Sequence, residues 1–471
     1  MTHSTPSLTR RQLLGRSGAT VAAALGAGTL ANLTLGTGAA HAADYKALVS
    51  IFLYGGNDGT NTIVPMDVTR YGQYSGVRGK LALDKSSLVA LSGADYGLHP
   101  SLSALLPHWR RGALAPVFNV GPLGKPTTRA EFLAAPDGSP FRPDALFSHS
   151  DQQTLWETAG ISIQERTGWG GRGCAVLGTA NPVISVSDAT RFGAEAGRSP
   201  LVLPLAGRGF GLDNMRPAEL VWEGAQRRKA ALDALYAQSQ TLGLRTAYVA
   251  HYNDAMATST RLDPLVSSRP GDAQSNKVVD AAFAPFISGN SVNGILSAQL
   301  YQIARLIANN AQVQGNRQMY FASQGGYDTH GQQLGAHADL LRELGDALNC
   351  FHTAMQNLGL DGVVTSFTQS DFGRTLAPNG SDGTDHAWGN HHLVLGGSVK
   401  GGKTYGTYPT LQLGGPDDAG DLGAHQGRWI PTSAVDQYAA TLLGWFGVSD
   451  SQLATALPNI GAFKQPKLGF L

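Results

Sequence analysis

The chain has 471 residues, 60 of them glycine, with 35 basic side chains against 34 acidic ones and a formal net charge of +1. That length can bury one large core or two ordinary ones. The nearly balanced, sparse charge provides no basic field to draw in nucleic acid.

The first 42 residues are expected to be a targeting segment and are set apart from the fold. Thr9-Arg10-Arg11-Gln12-Leu13-Leu14 is a paired-arginine signature, an Ala/Gly/Leu-rich run follows, and Ala40-His41-Ala42 fits a small-x-small cleavage site. The run is broken by Gly and Thr, so no permanent membrane span is expected. This reading predicts export by the twin-arginine machinery to the periplasm or beyond; an ordinary secretory signal with a chance arginine pair is the alternative. The two cysteines, Cys174 and Cys350, can form one disulfide in an oxidising compartment. Cys350 also falls on the apolar face of a predicted helix, where a buried thiol fits equally well.

Lys46 to Tyr54 is almost continuously apolar and reads as a buried parallel strand. It ends in Gly55-Gly56-Asn57-Asp58-Gly59, a polar glycine turn of the kind that carries function in open α/β sheets. Asp58 is a candidate metal ligand, or else an Asx turn bonded to its own backbone. Leu102–Arg111 reads as a helix and Ala115–Val120 as a strand. Ser148-His149-Ser150-Asp151 leads into a helix through Trp156. A hydroxyl and an imidazole at a helix N-terminus suit a nucleophile or an anion site, and equally an ordinary cap.

From Gly168 to about residue 315 the pattern is less legible. Gly168-Trp-Gly-Gly-Arg-Gly reads as a flexible turn. Short strands are expected at Val183–Val186 and Pro200–Leu205, and helices at Glu219–Ser239 and Val292–Asn310. Residues of about 190–315 are expected to be a helical elaboration able to cover a site. Gln318–Ser323 then reads as a strand ending in Gly325-Gly326-Tyr327-Asp328-Thr329-His330. Asp-x-His in an irregular loop can aim both side chains at one ion, so Asp328 and His330 are candidate ligands. A helix follows from Leu334 to Leu358.

Asp361 to Thr365 reads as a further strand. It opens onto Thr365–His392, a glycine-broken stretch holding Asp371, Asp382, Asp385, His386, His391 and His392. Carboxylates and imidazoles gathered where strands end are how an α/β protein presents a metal or an acid–base site. Arg374 is placed to clamp an anionic oxygen, or to pair with a nearby carboxylate. Gly401-Gly-Lys-Thr lacks the spaced glycines of a phosphate loop and reads as a hairpin turn. Val435–Phe446 is expected to be a closing helix, capped by Thr432 or Ser433.

Taken together, Tyr54-Gly-Gly-Asn-Asp-Gly, Ser148-His149, Gly326-Tyr-Asp-Thr-His-Gly-Gln, Asp371-Phe-Gly-Arg-Thr and Gly383-Thr-Asp-His-Ala-Trp-Gly-Asn resemble the DUF1501 family, which is grouped with the alkaline phosphatase and sulfatase superfamily. The resemblance covers the chain from residue 43 onward. It implies an α/β, alkaline phosphatase-like three-layer sandwich with a central mostly parallel sheet. It also implies a metal-dependent hydrolase of phosphate or sulfate esters, small or polymeric. Asp58, Asp328 and Asp371 match metal-binding aspartates of the superfamily. Gln332 and Phe372 stand where the superfamily has ligands, which leaves His330, Asp385, His386 or His391 to replace them. Ser148, with His149 beside it, is the nearest match to the nucleophile. Mixed carboxylate and imidazole ligation leans towards Zn or Mn. A non-catalytic exported protein that binds a metal, a polysaccharide or a partner on the same fold is the alternative.

Overall fold

The computed structural model describes residues 44–237, 243–420 and 425–471. The predicted signal segment lies outside them. Eight strands form the main sheet: β1 (Lys46–Leu53), β2 (Leu114–Gly121), β3 (Ile184–Ser185), β4 (Leu201–Val202), β5 (Arg317–Gln324), β6 (Val364–Ser370), β7 (Asn390–Gly396) and β8 (Ser433–Ala434). Their order is β8-β2-β7-β6-β1-β5-β3-β4. Only β7 runs against its neighbours, pairing antiparallel with both β6 and β2.

The apolar run of β1 follows from its central place. Side chains alternate between the faces of a strand. Ala47, Val49, Ile51 and Leu53 enter one hydrophobic core, while Leu48 and Phe52 enter the other. With both faces covered there is no polar face to alternate with. The longer helices are α1 (Val68–Arg78), α2 (His149–Thr158), α3 (Trp169–Leu177), α4 (Glu223–Tyr236), α5 (Gly243–Val266), α6 (Ile295–Ala308), α7 (Gln333–Asn357) and α8 (Val435–Phe446). Leu300, Ile303, Leu344 and Phe351 of α6 and α7 fill the first core. Cys174 of α3 and Tyr438 and Leu442 of α8 fill the second. The result is a three-layer α/β sandwich.

Several local expectations change. Gly168-Trp-Gly-Gly-Arg-Gly is not a flexible turn: Gly168 is the N-cap of α3. A Cβ on Gly170 would meet the Phe192 ring at 2.5 Å. The glycines there serve close packing rather than flexibility. The strand expected to end near Thr365 runs on to Ser370. Val435–Phe446 is helical, but its N-cap is Ala434 rather than Thr432 or Ser433. Helix α6 is buried along nearly its whole length and belongs to the core rather than to a cover. Cys174 and Cys350 are both buried and unpaired.

One register positions the site. Leu53 of β1 lies opposite Gln324 of β5 and Ser370 of β6. Three adjacent parallel strands therefore stop at one level, and each leads into a loop bearing an aspartate.

Buried imidazoles make the fold acid-sensitive. Burial pushes His99 down to about 4, and His337, His391 and His392 to about 3. Each pKa is depressed on folding, so between 6.5 and about 4 the unfolded chain binds the extra protons. Stability is then fully present above 6.5 and is lost as pH falls, by roughly 1.4 kcal/mol per pH unit for each histidine. Urea denaturation at pH 7.5 and pH 5 should differ by several kcal/mol in that direction. Equal stabilities would show that these rings are not held neutral.

Candidate metal centre

Asp371 directly follows β6 and is completely buried. Its Oδ2 accepts from His149 Nδ1 at 2.7 Å, Gln153 Nε2 at 3.0 Å and the Gly55 amide at 3.2 Å. His149 and Gln153 stand four apart on α2, so they share one face. That bond raises the His149 pKa despite partial burial, helped by the charges of Asp371 and Asp328. The other ring nitrogen, Nε2, lies 3.3 Å from Asp328 Oδ2.

His386 is oriented in the same way. Its Nδ1 donates to the Phe147 carbonyl at 2.7 Å, which leaves Nε2 as a lone pair 3.3 Å from Asp328 Oδ1. Backbone bonds from Gly373 to Trp388, Ala387 to Gly373 and Thr375 to Asp385 hold this loop in place. Burial is the main cause holding His386 below its ordinary value, opposed by the bond to Phe147. His330 places Nδ1 3.2 Å from Asp385 Oδ1 and Nε2 3.0 Å from Asp328 Oδ1.

Three imidazoles thus turn Nε2 towards the Asp328 carboxylate, each secured from behind through Nδ1. An acceptor behind a histidine fixes the tautomer and aims the other nitrogen's lone pair, as around bound metals. Ligand atoms of His149, Asp328 and His386 lie within 4.8 Å of one another. His330 Nε2 is 2.9 Å from His386 Nε2. Two lone pairs cannot face each other at that distance, so a proton or a cation must sit between them. The donor set therefore fits a divalent ion that takes imidazole and carboxylate together. The Asp328 side chain is 46% exposed, so the cluster opens to solvent. The Phe372 ring lies against His149 and His386, with centroids 4.9 and 4.6 Å away.

Other candidates are placed differently. Asp58 is buried away from this group. Its Oδ1 takes Arg78 Nη2 at 2.6 Å and the Asn61 amide at 3.1 Å, and its Oδ2 takes Gln333 Nε2 at 2.5 Å. Burial pushes its carboxyl up, but the Arg78 guanidinium, by charge and hydrogen bond, and the Asn61 amide hold it below the ordinary value. The turn reading describes Asp58, with an ion pair added. His391 lies inside β7, accepts from the Asn119 amide at 3.1 Å and packs on Phe118 and Tyr408. Arg374 is buried and donates to Gly56 O, Tyr327 O and Asp328 Oδ1, so it braces the loops that carry the cluster. Asp385 stands behind His330. Ser148 is the N-cap residue of α2, and its hydroxyl makes no capping bond. Gln153 and the Phe147 carbonyl were not singled out from sequence. Gln153 was findable from its spacing to His149, whereas Phe147 carries its carbonyl on a backbone of φ +75° that no local pattern announces.

Gly55 fixes the distance between two strand ends. It has φ +112°, and an added Cβ would overlap the Asp328 amide. Gly55→Ala is expected to cost on the order of 3 kcal/mol through strain and overpacking and to displace Asp328. A thermal melt within about 1 °C of wild type would contradict this close approach.

A mostly parallel α/β sandwich with a His/Asp cluster at its carboxyl edge is thus the class of protein. The chain belongs to the DUF1501 family, described as proteins of unknown function, which it matches over residues 45–418. No curated protein matches it. Among solved structures it is similar to alkaline phosphatase from the Antarctic bacterium TAB5, at 14% identity and a TM-score of 0.26, covering 76% of this chain and 93% of that one. A variant of that phosphatase with magnesium in its M3 site aligns at 11% identity and a TM-score of 0.22, covering 74% and 91%. Among the described residues, no helix is long and apolar enough to cross a membrane.

Proposed function

We propose that the chain is an exported metal-dependent hydrolase of phosphate or sulfate esters. The observation that carries this reading is the convergence of His149, His330 and His386 Nε2 on Asp328, each ring secured at Nδ1. His149, Asp328 and His386 would hold the ion, of which zinc or manganese suits the donors best. A divalent ion there supplies Lewis acidity towards a phosphoryl or sulfuryl oxygen. His330, exposed and backed by Asp385, can carry the proton at Nε2 that the departing alcohol oxygen needs. Asp371 and Gln153 fix α2, whose N-terminus favours an anionic group, and Ser148 opens that helix with a hydroxyl that makes no capping bond. The sequence motifs supply the ester class, and the twin-arginine pattern supplies export.

A second reading, a non-catalytic metal-, polysaccharide- or partner-binding protein, is favoured by one observation. Asp58 and Arg374, the expected further ligand and anion clamp, are both engaged in structural bonds, Asp58 with buried Arg78 and Arg374 with the Gly56 and Tyr327 carbonyls. Zinc- and manganese-loaded mature protein assayed on aryl phosphates and aryl sulfates separates the two. Turnover that Asp328→Asn abolishes is expected. Metal binding without turnover of any ester would overturn the hydrolase.

A further inference from the structure

Strand β3 stops beside Phe321, while β5 runs on to Gln324. One flank of β5 is therefore left without a strand neighbour near the carboxyl edge. There the Gln299 amide replaces the missing strand, donating to the Ser323 carbonyl at 2.9 Å and accepting its N–H at 2.8 Å. Outside this fixed wall lies a cavity of about 1030 Å³, closed by the loop after β4 and by α5. Leu203, Leu205, Phe210, Leu212, Met256 and Ile295 give it an apolar lining. Leu212 and Ile295 leave 46% and 66% of their surface exposed, so the cavity keeps apolar surface open to solvent. Exposed Asp188, Asp254, Arg208 and His251 mix both signs of charge on the rim, so the cavity itself does not select an anion.

Gly325 lines this cavity, and Asp328 of the cluster follows three residues later, at most about 11 Å of extended chain away. The volume is at the upper end of small-molecule sites, and the carboxyl edge of a parallel sheet is where such sites form. Resting on the hydrolase reading, we propose that this cavity takes a bulky, uncharged apolar alcohol portion of the ester, while the anionic group meets the cluster. Hydrolysis then joins a water oxygen to phosphorus or sulfur and breaks the bond to the alcohol oxygen. That oxygen gains a proton, and the alcohol leaves from the apolar side.

The test compares decylphosphonate with methylphosphonate, whose C–P bonds are not hydrolysed, by calorimetry on zinc-loaded mature protein. Decylphosphonate should bind at least tenfold more tightly. Ala255→Trp, at an exposed position of α5 on the cavity wall, should remove that advantage and leave methylphosphonate binding unchanged. Leu212→Ser should reduce it. Equal affinities for the two ligands, or an advantage that survives Ala255→Trp, would overturn the cavity's role. If the binding pattern holds but decyl phosphate is not turned over, the hydrolase reading fails and the cavity stands only as an apolar ligand site.

Discussion

Asp328→Asn is expected to abolish tight zinc binding, weakening it by more than about a hundredfold, the upper end of what loss of an outer-shell partner costs. The substitution keeps an oxygen for Arg374 Nη2, so the brace that holds the loops persists. What disappears is the negative charge that three imidazoles face. His386→Ala should give a comparable loss. Asp371→Asn acts only through the orientation of His149 and should weaken binding by about 10- to 100-fold. Metal content after dialysis, read beside a thermal melt of the metal-free protein, checks the series. Unchanged zinc retention in Asp328→Asn would place the ion elsewhere.

The second large effect concerns stability. Arg78→Met is expected to destabilise the fold by about 3–5 kcal/mol, because it leaves a charged Asp58 buried without its partner. Both side chains are fully inaccessible, and among the described residues Nε and Nη1 of Arg78 have no hydrogen-bond partner. Asp58 is thus the one hydrogen-bond partner of the Arg78 guanidinium among the described residues, while Asp58 also keeps the Asn61 amide and Gln333. The double variant Arg78→Met, Asp58→Asn should recover most of the loss, since removing both halves of a buried pair is often nearly neutral. Metal retention in the double variant should match wild type. Denaturant titration of the three proteins decides this; a double variant no more stable than the single one would contradict it.

The contrast between Asp58 and Asp328 shows what local pattern conveys. Both follow a strand through a glycine turn, which makes each a candidate ligand. Asp328 comes four residues after β5 and stays at the open edge. Asp58 starts a single helical turn that carries it inward to Arg78, twenty residues on. Nothing in the intervening sequence marks that pairing. His391 and His386 differ in the same way: β7 begins at Asn390, so His391 is fixed on a strand among aromatic rings, while His386 remains in the loop. Strand β1 is legible because it is buried on both faces and almost wholly apolar, whereas the extent of β6 is not, since Thr365, Ser366, Thr368, Gln369 and Ser370 are buried but polar. Helix α5 was not: its buried residues crowd into its second half, and Pro264 interrupts the usual signal. The Phe147 carbonyl was invisible for a different reason, being backbone chemistry that no side chain encodes.

The most direct measurement is an anomalous-difference map from a crystal of the mature protein soaked in zinc. A single strong peak is expected about 2.0–2.2 Å from His149 Nε2, His386 Nε2 and an Asp328 oxygen. No peak there, or one elsewhere on the protein, would contradict the metal centre.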